Sequence, residues 1–279
     1  MAGIVPRRTA IVDLVTPQIQ QAADRLQEAI DTGKPCAPVR DLIGEHDIDA
    51  AYEVQETLTA NRLAAGARVA GRKIGLTSDS VRSQFGVFQP DFGTLFADMG
   101  YATGEPVPLS RLLQPRVEAE IAFVLENDID LPDASVTDVL RATDFVVAAI
   151  EIVDSRVDNW DIRIADTVAD NASSGLYTLG CTPHSLNGLD LAQVGMVLEH
   201  EGEPVSVGSG PACMANPVVA VAWLAREVAR RGNPLKAGEV VLSGALGPMV
   251  KVTAPGVFTA RLDGLGEVQA VFTADGGAR

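Results

Sequence analysis

Only three of the 279 residues are cysteine and three are histidine. Cys36, Cys181 and Cys213 are scattered without metal-ligand spacing. An odd, sparse set excludes a disulfide framework and fits a reducing compartment. His46, His184 and His200 sit in polar contexts and form no ligand set, and the Glu45-His46 pair reads as surface chemistry. Aromatic residues are 5% of the chain, too few for a surface on which bases stack. Positive charge is also short, with 22 Lys and Arg against 37 Asp and Glu and a net charge of −15. That balance lacks the basic stripe of a nucleic-acid partner. A small anionic substrate stays open, because a metal and a few local cations override a global field. No apolar run approaches the roughly 18 residues of a membrane span. Asp13 breaks the short apolar segment behind Arg7 and Arg8, so no signal peptide is expected and the cytoplasm is the expected setting. Gly-rich phosphate loops, internal repeats and low-complexity stretches are missing as well.

What is present is a large apolar fraction, 47%, with charged residues of mixed sign at 21%. Such a chain buries a substantial core and is not disordered. Two stretches stand out. In residues 114–125 the apolar run 121–125 reads as a buried strand, and Glu118 and Glu120 precede it one residue apart. Side chains at i and i+2 of a strand share a face. In residues 144–154, Glu151 follows the apolar run 145–150 and precedes Ile152 and Val153. A carboxylate in such a run needs a partner. Three carboxylates converging from two strands, with no Cys or His nearby, make an all-oxygen site suited to Mg²⁺ or Mn²⁺. The alternative for Glu118 and Glu120 is a solvated strand end.

Periodicity predicts a helix over residues 16–32, with Ile19, Ala22, Ala23, Leu26 and Ile30 as its apolar positions and Gly33 as its stop. A second helix is expected from the N-cap Asp47 to about Ala65, with Tyr52, Val54, Leu58 and Leu63 among its apolar positions. A short strand should follow over 69–75, then one helical turn at 80–84 and a turn at Gln89-Pro90-Asp91-Phe92-Gly93. Beyond residue 105 strands dominate, near 116–125, 145–153, 177–179, 194–200, 240–243, 251–254 and 258–262. Residues 159–168 are mixed, helical or loop. A later helix is well marked, with Asn216 as N-cap, Pro217 first, and Arg230, Arg231 and Gly232 at its end. The change of pattern divides the chain into a helical portion, 1–104, and a strand-rich portion, 105–279, within one compact unit.

An ordered set of motifs runs through nearly the whole chain. It comprises Gly71-Arg72-Lys73-Ile74-Gly75-Leu76-Thr77-Ser78, Pro90-Asp91-Phe92-Gly93, Pro115-Arg116-Val117-Glu118-Ala119-Glu120, and Glu151-Ile152-Val153-Asp154-Ser155-Arg156. Asp170-Asn171-Ala172-Ser173-Ser174-Gly175 and the stretch from Leu235 to Gly244 complete it. Together they resemble the hydratase/decarboxylase branch of the fumarylacetoacetate hydrolase superfamily. The resemblance implies an α+β fold, a mixed β-roll of that superfamily's C-terminal type with a smaller helical N-terminal portion contributing Lys73 and Asp91. It implies a divalent metal on Glu118, Glu120 and Glu151, an active-site Lys73 with Asp91 as acidic partner, and substrate contacts from Ser173, Leu76 and Gly244. It also implies a homo-oligomer, often a decamer, and a possible complex with a pathway decarboxylase or aldolase. The implied reaction is metal-dependent hydration of 2-hydroxypenta-2,4-dienoate or a close homologue to a 4-hydroxy-2-oxo acid, in meta-cleavage catabolism of aromatic compounds. Alternatives are decarboxylation of 2-oxo-3-hexenedioate (4-oxalocrotonate) and carbon–carbon hydrolysis.

Each of these residues has a plainer reading. Lys73 is a surface lysine by a turn, or an enclosed one that holds a substrate carboxylate or transfers a proton at lowered pKa. Asp91 is a turn former, or the group that orients Lys73 or water. Ser174 serves as well as Ser173 on composition. Arg156 binds substrate or pairs with Asp154 or Asp158. Gly244 allows close approach to a ligand, or only a turn. Cys181 and Cys213 read as small core residues.

Overall fold

The computed structural model describes residues 15–78 and 89–274. Arg7, Arg8, Asp13 and the helical turn expected at 80–84 lie outside the described residues. The helices are α1 (Pro17–Thr32), α2 (Arg40–Ile43), α3 (Ile48–Ala64), α4 (Val136–Ala142), α5 (Ile164–Ala169) and α6 (Pro217–Arg230). The strands are β1 (Val69–Gly75), β2 (Asp91–Phe96), β3 (Gly100–Ala102), β4 (Pro106–Pro108), β5 (Arg116–Leu125), β6 (Thr143–Val153) and β7 (Ser174–Leu179). They continue with β8 (Gly195–His200), β9 (Glu203–Ser209), β10 (Val240–Leu242), β11 (Val250–Lys251), β12 (Gly256–Leu262) and β13 (Gly266–Thr273).

Local chemistry explains the helix ends. The Thr16 hydroxyl accepts from the Ile19 amide at 3.3 Å, and the Asp47 carboxylate accepts from Ala50 at 3.0 Å. Asn216 accepts from Val218 at 3.0 Å ahead of Pro217. Each side chain satisfies an amide that has no partner inside its helix. Helix α1 buries Ile19, Ala22, Ala23, Leu26 and Ala29, whereas Ile30 is exposed, as is Leu63 of α3. Helix α6 belongs to a stretch, Gly210–Arg230, apolar and long enough to cross a bilayer by composition alone. Its buried face, from Pro217 to Val228, makes it a core helix here.

Two mixed sheets form the centre. The larger has the order β2-β1-β10-β5-β6-β7-β3, with β11 pairing β5, and the smaller runs β4-β13-β12-β8-β9. Strands from both sides of residue 105 therefore share the larger sheet. Strands β5 and β6 make its longest pairing, with Glu118 opposite Glu151 and Ala122 opposite Val147. One face of this pair carries Val117, Ala119, Ile121 and Phe123 against Val146, Ala148, Ile150 and Ile152, all at most 1% exposed. Burying that face drives the pairing and fixes its register. Register in turn dictates which residues stand on the opposite face.

Several elements differ from the sequence expectation. Asp91-Phe92-Gly93 opens strand β2, paired antiparallel to β1, rather than making a turn. Pro35, Pro38 and Gly44 mark a loop by composition, yet the short α2 forms between them, and α4, β3, β4, β9 and β13 were not anticipated. The strand expected at 251–254 is the two-residue β11. Cys213 is buried as expected, but Cys181 is exposed.

Buried aspartates tie the connecting segments to this frame. Asp166 accepts from the Val39 and Arg40 amides, each at 2.9 Å, and pairs with the Arg40 guanidinium at 2.6 Å. Asp154 accepts from the Leu113 and Gln114 amides. Arg156 pairs with Asp170, and also donates to the carbonyls of Asp154 and Ser174. Its partner is thus neither Asp154 nor Asp158 through a carboxylate. Arg156→Leu should cost about 3–5 kcal/mol, because Asp170 would be left as an uncompensated buried charge. Urea unfolding measures this, and a loss below about 1 kcal/mol would mean that Asp170 does not depend on the pair.

Candidate active site

The register that buries one face of the β5–β6 pair turns a row of polar side chains to the other. Glu118 and Glu120 lie on β5, and Glu151 on β6 faces Glu118. Ala122 is level with Leu242 on β10, Leu242 with Lys73 on β1, and Lys73 with Gly93 on β2. Gly75 is level with Asp91. Paired residues point to the same side and alternate residues return to it. Lys73, Asp91, Glu118, Glu120 and Glu151 therefore share a face, although they come from four strands.

The three glutamates offer oxygen atoms that all lie within 4.8 Å of one another. Glu120 and Glu151 are 0% and 1% exposed, and Glu118 is half-buried. The Gly244 amide donates to Glu120 Oε2 at 2.8 Å. Gly244 adopts φ +113, and a Cβ there would strike the Thr77 side chain, so this contact favours glycine. Lys73 is 2% exposed, not a surface lysine. Its Nζ donates to the Ala172 carbonyl at 2.9 Å and lies 3.1 Å from Glu151 Oε1. That last approach is an ion pair without hydrogen-bond angles. Among the described residues, both Glu151 oxygens, Glu120 Oε1 and Asp91 Oδ1 are buried atoms with no hydrogen-bond partner. Burial of unmatched anionic oxygen is costly, and a hard divalent cation is the partner that an all-carboxylate set suits. The three glutamates fit one.

Asp91 sits beside the lysine. A Cβ on Gly75 would come 2.2 Å from Asp91 Oδ1 and 3.4 Å from Lys73 Nζ, so glycine at 75 is what lets both groups crowd this spot. Burial holds the Asp91 carboxyl above the usual range, with Lys73 opposing the rise. Burial alone would lower the Lys73 pKa, but Glu151, Asp91, Glu118 and Glu120 outweigh it and hold it above the ordinary lysine value. The lowered pKa that would make Lys73 a neutral base is not what these surroundings produce.

The cover of the site is a strained turn. Asn171, Ala172 and Ser173 have φ of 54, 51 and 53°, left-handed values uncommon for residues with a Cβ. The Asn171 side chain accepts from the Thr94 amide at 2.7 Å and donates to its carbonyl at 2.9 Å, fastening the turn to β2. Ser173 is 3% exposed, and its Oγ lies 3.3 Å from the Thr167 hydroxyl. Ser174 Oγ instead donates to the Asn171 carbonyl at 2.7 Å, which occupies its proton within the turn. Leu76, half-buried, is also left-handed at φ 55°. Glu45 pairs with Arg163 on the surface at 3.5 Å, and His46 is exposed. Sequence reasoning missed Gly75 and Thr167, although each lies inside or just before a motif already singled out. A separate cavity of about 410 Å³ opens between α1, α3 and the outer side of this turn, lined by Arg62, Asp98, Arg111 and Asp154. The carboxylate cluster does not line it.

Protonation follows from the crowding. Burial first, then the neighbouring Glu151, push the Glu118 carboxyl up to about 7 against the pull of Lys73. Glu120 is raised well above its usual range by burial, then by Glu151 and Glu118. A carboxyl whose pKa is higher folded than unfolded destabilises the fold once ionised. For Glu118 the stability present below 4.5 is lost as pH rises through about 7. A cation binds the ionised form and opposes that loss. Mn²⁺ or Mg²⁺ should therefore raise the unfolding temperature more at about pH 8 than at about pH 5.5. Equal shifts in scanning calorimetry, or a Glu118→Gln protein that binds Mg²⁺ as tightly as wild type, would remove these residues from a cation site.

No model of a known protein family matches the chain. Individual proteins do. It is 57% identical to TodF product hydratase of Pseudomonas putida, over 92% of this chain and 96% of that one. It is 53% identical to 2-keto-4-pentenoate hydratase of Paraburkholderia xenovorans, again over 92% and 96%. Among solved structures, 4-oxalocrotonate decarboxylase from Pseudomonas putida G7, complexed with magnesium and adipate, superposes with a TM-score of 0.88. That pair is 33% identical, over 96% of this chain and 100% of that one.

Proposed function

Because this chain belongs to the 2-keto-4-pentenoate hydratase family, in the hydratase/decarboxylase branch of the fumarylacetoacetate hydrolase superfamily, we propose that it adds water to 2-hydroxypenta-2,4-dienoate or a close homologue. The product is a 4-hydroxy-2-oxo acid, and the setting is aromatic meta-cleavage catabolism. The observation that carries the site assignment is the set of buried, unpartnered oxygens on Glu120, Glu151 and Asp91 around one lysine.

In this reading Glu118, Glu120 and Glu151 hold Mg²⁺ or Mn²⁺. A divalent cation there supplies Lewis acidity to the vicinal oxygens of a 2-oxo acid. The rest falls to the chain. Lys73 contributes a fixed ammonium charge to the substrate's oxygen-bearing end, where negative charge develops. The dienol loses its O2 proton and gains a proton at C5, which gives a 2-oxo-3-enoate. The oxygen of water then bonds to C4, water gives up one proton, and C3 takes one. The sum is one added water. Asp91 Oδ1, next to Lys73 and free of hydrogen bonds, is the group to orient that water and accept its proton. Ser173, Leu76 and Gly244 line the substrate's path, Gly244 through its hold on Glu120. A homo-oligomer, decameric in its fullest form, a cytoplasmic setting and association with a pathway decarboxylase or aldolase belong to the same proposal. So does the division of labour in which residues 1–104 bring Lys73 and Asp91 to a catalytic β-roll of residues 105–279.

The test is to give the purified protein enzymatically generated 2-hydroxypentadienoate with Mg²⁺, follow loss of the dienol absorbance and identify the product. Formation of 4-hydroxy-2-oxopentanoate is expected. The likeness to a decarboxylase makes 2-oxo-3-hexenedioate the control substrate, and CO₂ release from it without turnover of the dienoate would reverse the assignment. Lys73→Ala should lower kcat/KM by about 10²-fold or more. Turnover near wild type would exclude the lysine from the chemistry.

A further inference from the structure

Thr167 lies on α5 and is 6% exposed. Its hydroxyl stands between two groups of the proposed site, 3.5 Å from Asp91 Oδ2 and 3.3 Å from Ser173 Oγ. A hydroxyl has one proton to give and lone pairs to receive with. With Asp91 ionised, as the proposed acceptance of a proton from water requires, Thr167 donates to Asp91 and Ser173 to Thr167. The chain of hydrogen bonds has one direction, from Ser173 through Thr167 to Asp91.

This arrangement separates the two oxygens of Asp91. Oδ2 is engaged by Thr167, while Oδ1 is buried without a hydrogen-bond partner among the described residues, in the space left by the missing Cβ of Gly75 beside Lys73. We propose that Thr167 is a positioning residue for hydration, turning Asp91 so that Oδ1 is the oxygen presented to water. The inference rests on the reading of Asp91 given above.

The surroundings hold Thr167 in place for that task. Asp166, just before it, is anchored to Arg40 and to the Val39 and Arg40 amides. Val168, just after it, gives its carbonyl to the Gln55 side chain at 2.8 Å. The same Gln55 amide donates to the Phe92 carbonyl at 3.0 Å, next to Asp91. One buried side chain therefore sets the spacing of both partners. A contact of 3.5 Å is long, and such bonds tighten when substrate is bound. The chain also limits Ser173. With its proton given to Thr167, Ser173 Oγ has only lone pairs left to offer, which suits a proton-bearing group and not a carboxylate.

The test uses Thr167→Val, which keeps the shape and removes the hydroxyl, and Thr167→Ser, which restores the hydroxyl. In Thr167→Val, kcat for hydration should fall by up to about 10²-fold, the scale of a misplaced reacting group, with KM and Mn²⁺ affinity near wild type. Thr167→Ser should recover most of the rate. Crystal structures should show Asp91 turned in the Val protein and unchanged in the Ser protein. Three results would each overturn the proposal: an unaltered kcat in Thr167→Val, a Ser protein as slow as the Val protein, or the same Asp91 orientation in all three. A wild-type protein inactive on the dienoate would defeat the functional reading instead, and the Asp91 orientation would still decide the role of Thr167.

Discussion

Repulsion among carboxylates in a dry place governs this molecule. Two ionised carboxylates within 4.8 Å repel by about 3 kcal/mol at an effective dielectric near 20. Among the described residues, three glutamates and Asp91 face a single buried ammonium, Lys73. One positive charge cannot balance four negative ones. The cluster must take up protons or admit another cation, and the raised Glu118 and Glu120 pKa values record the first of these choices. A divalent ion is the second choice, and it turns an unfavourable grouping into a binding site. The same charges hold the Lys73 pKa above the ordinary lysine value despite its burial.

Holding such a group together requires rigidity supplied from elsewhere. The reverse face of β5 and β6 is wholly apolar and buried, so the strands that carry the glutamates cannot slip by one residue without turning that face to the wrong side. Beside the cluster, the turn at Asn171 to Ser173 is held left-handed at three successive residues, at a cost of about 1–3 kcal/mol each. It persists because its bonds over-determine it: two between Asn171 and Thr94, one from Lys73 to Ala172, and one from the Asp154 amide to Ser173. Part of that strain is carried by the bond to Lys73, which couples the cover of the site to its charge.

Much of this was legible in the sequence, and the limits have physical causes. Carboxylates beside or within apolar runs pointed to Glu118, Glu120 and Glu151, because burial of charge leaves a mark in a one-dimensional pattern. Capping residues marked the ends of α1, α3 and α6. Asp91 was read as part of a turn because Pro-Asp-Phe-Gly is rich in turn formers. Pairing with β1 overrode that local preference, as tertiary context does. Strand β13 alternates, with Val268, Ala270 and Phe272 buried, and its pattern was available. Edge strand β9 begins Glu-Pro, buries Ser206 and leaves Val205 and Val207 exposed, so it has no buried apolar face to announce it. Arg156 paired with Asp170 across 14 residues, a contact that helical or strand spacing does not reveal. Thr167 was invisible for the same reason, since its meaning lies in Asp91, 76 residues away.

Hydration and decarboxylation ask different things of one cluster. Both need positive charge at the 2-oxo acid, which in the proposed reading comes from Lys73 and from a cation held by the three glutamates. Loss of CO₂ needs nothing further at the far end beyond a proton for the product. Addition of water needs a group that holds the water against an alkene carbon and takes its proton. That group must be a buried acceptor with an unused oxygen, oriented by neighbours that are not substrate. Asp91 has these properties: Oδ1 is unpartnered, Oδ2 is engaged by Thr167, and the glycine at 75 leaves room in front of Lys73. An acceptor held in that state is costly to bury. A water molecule bound at Oδ1, as the proposed hydration requires, would offset that cost.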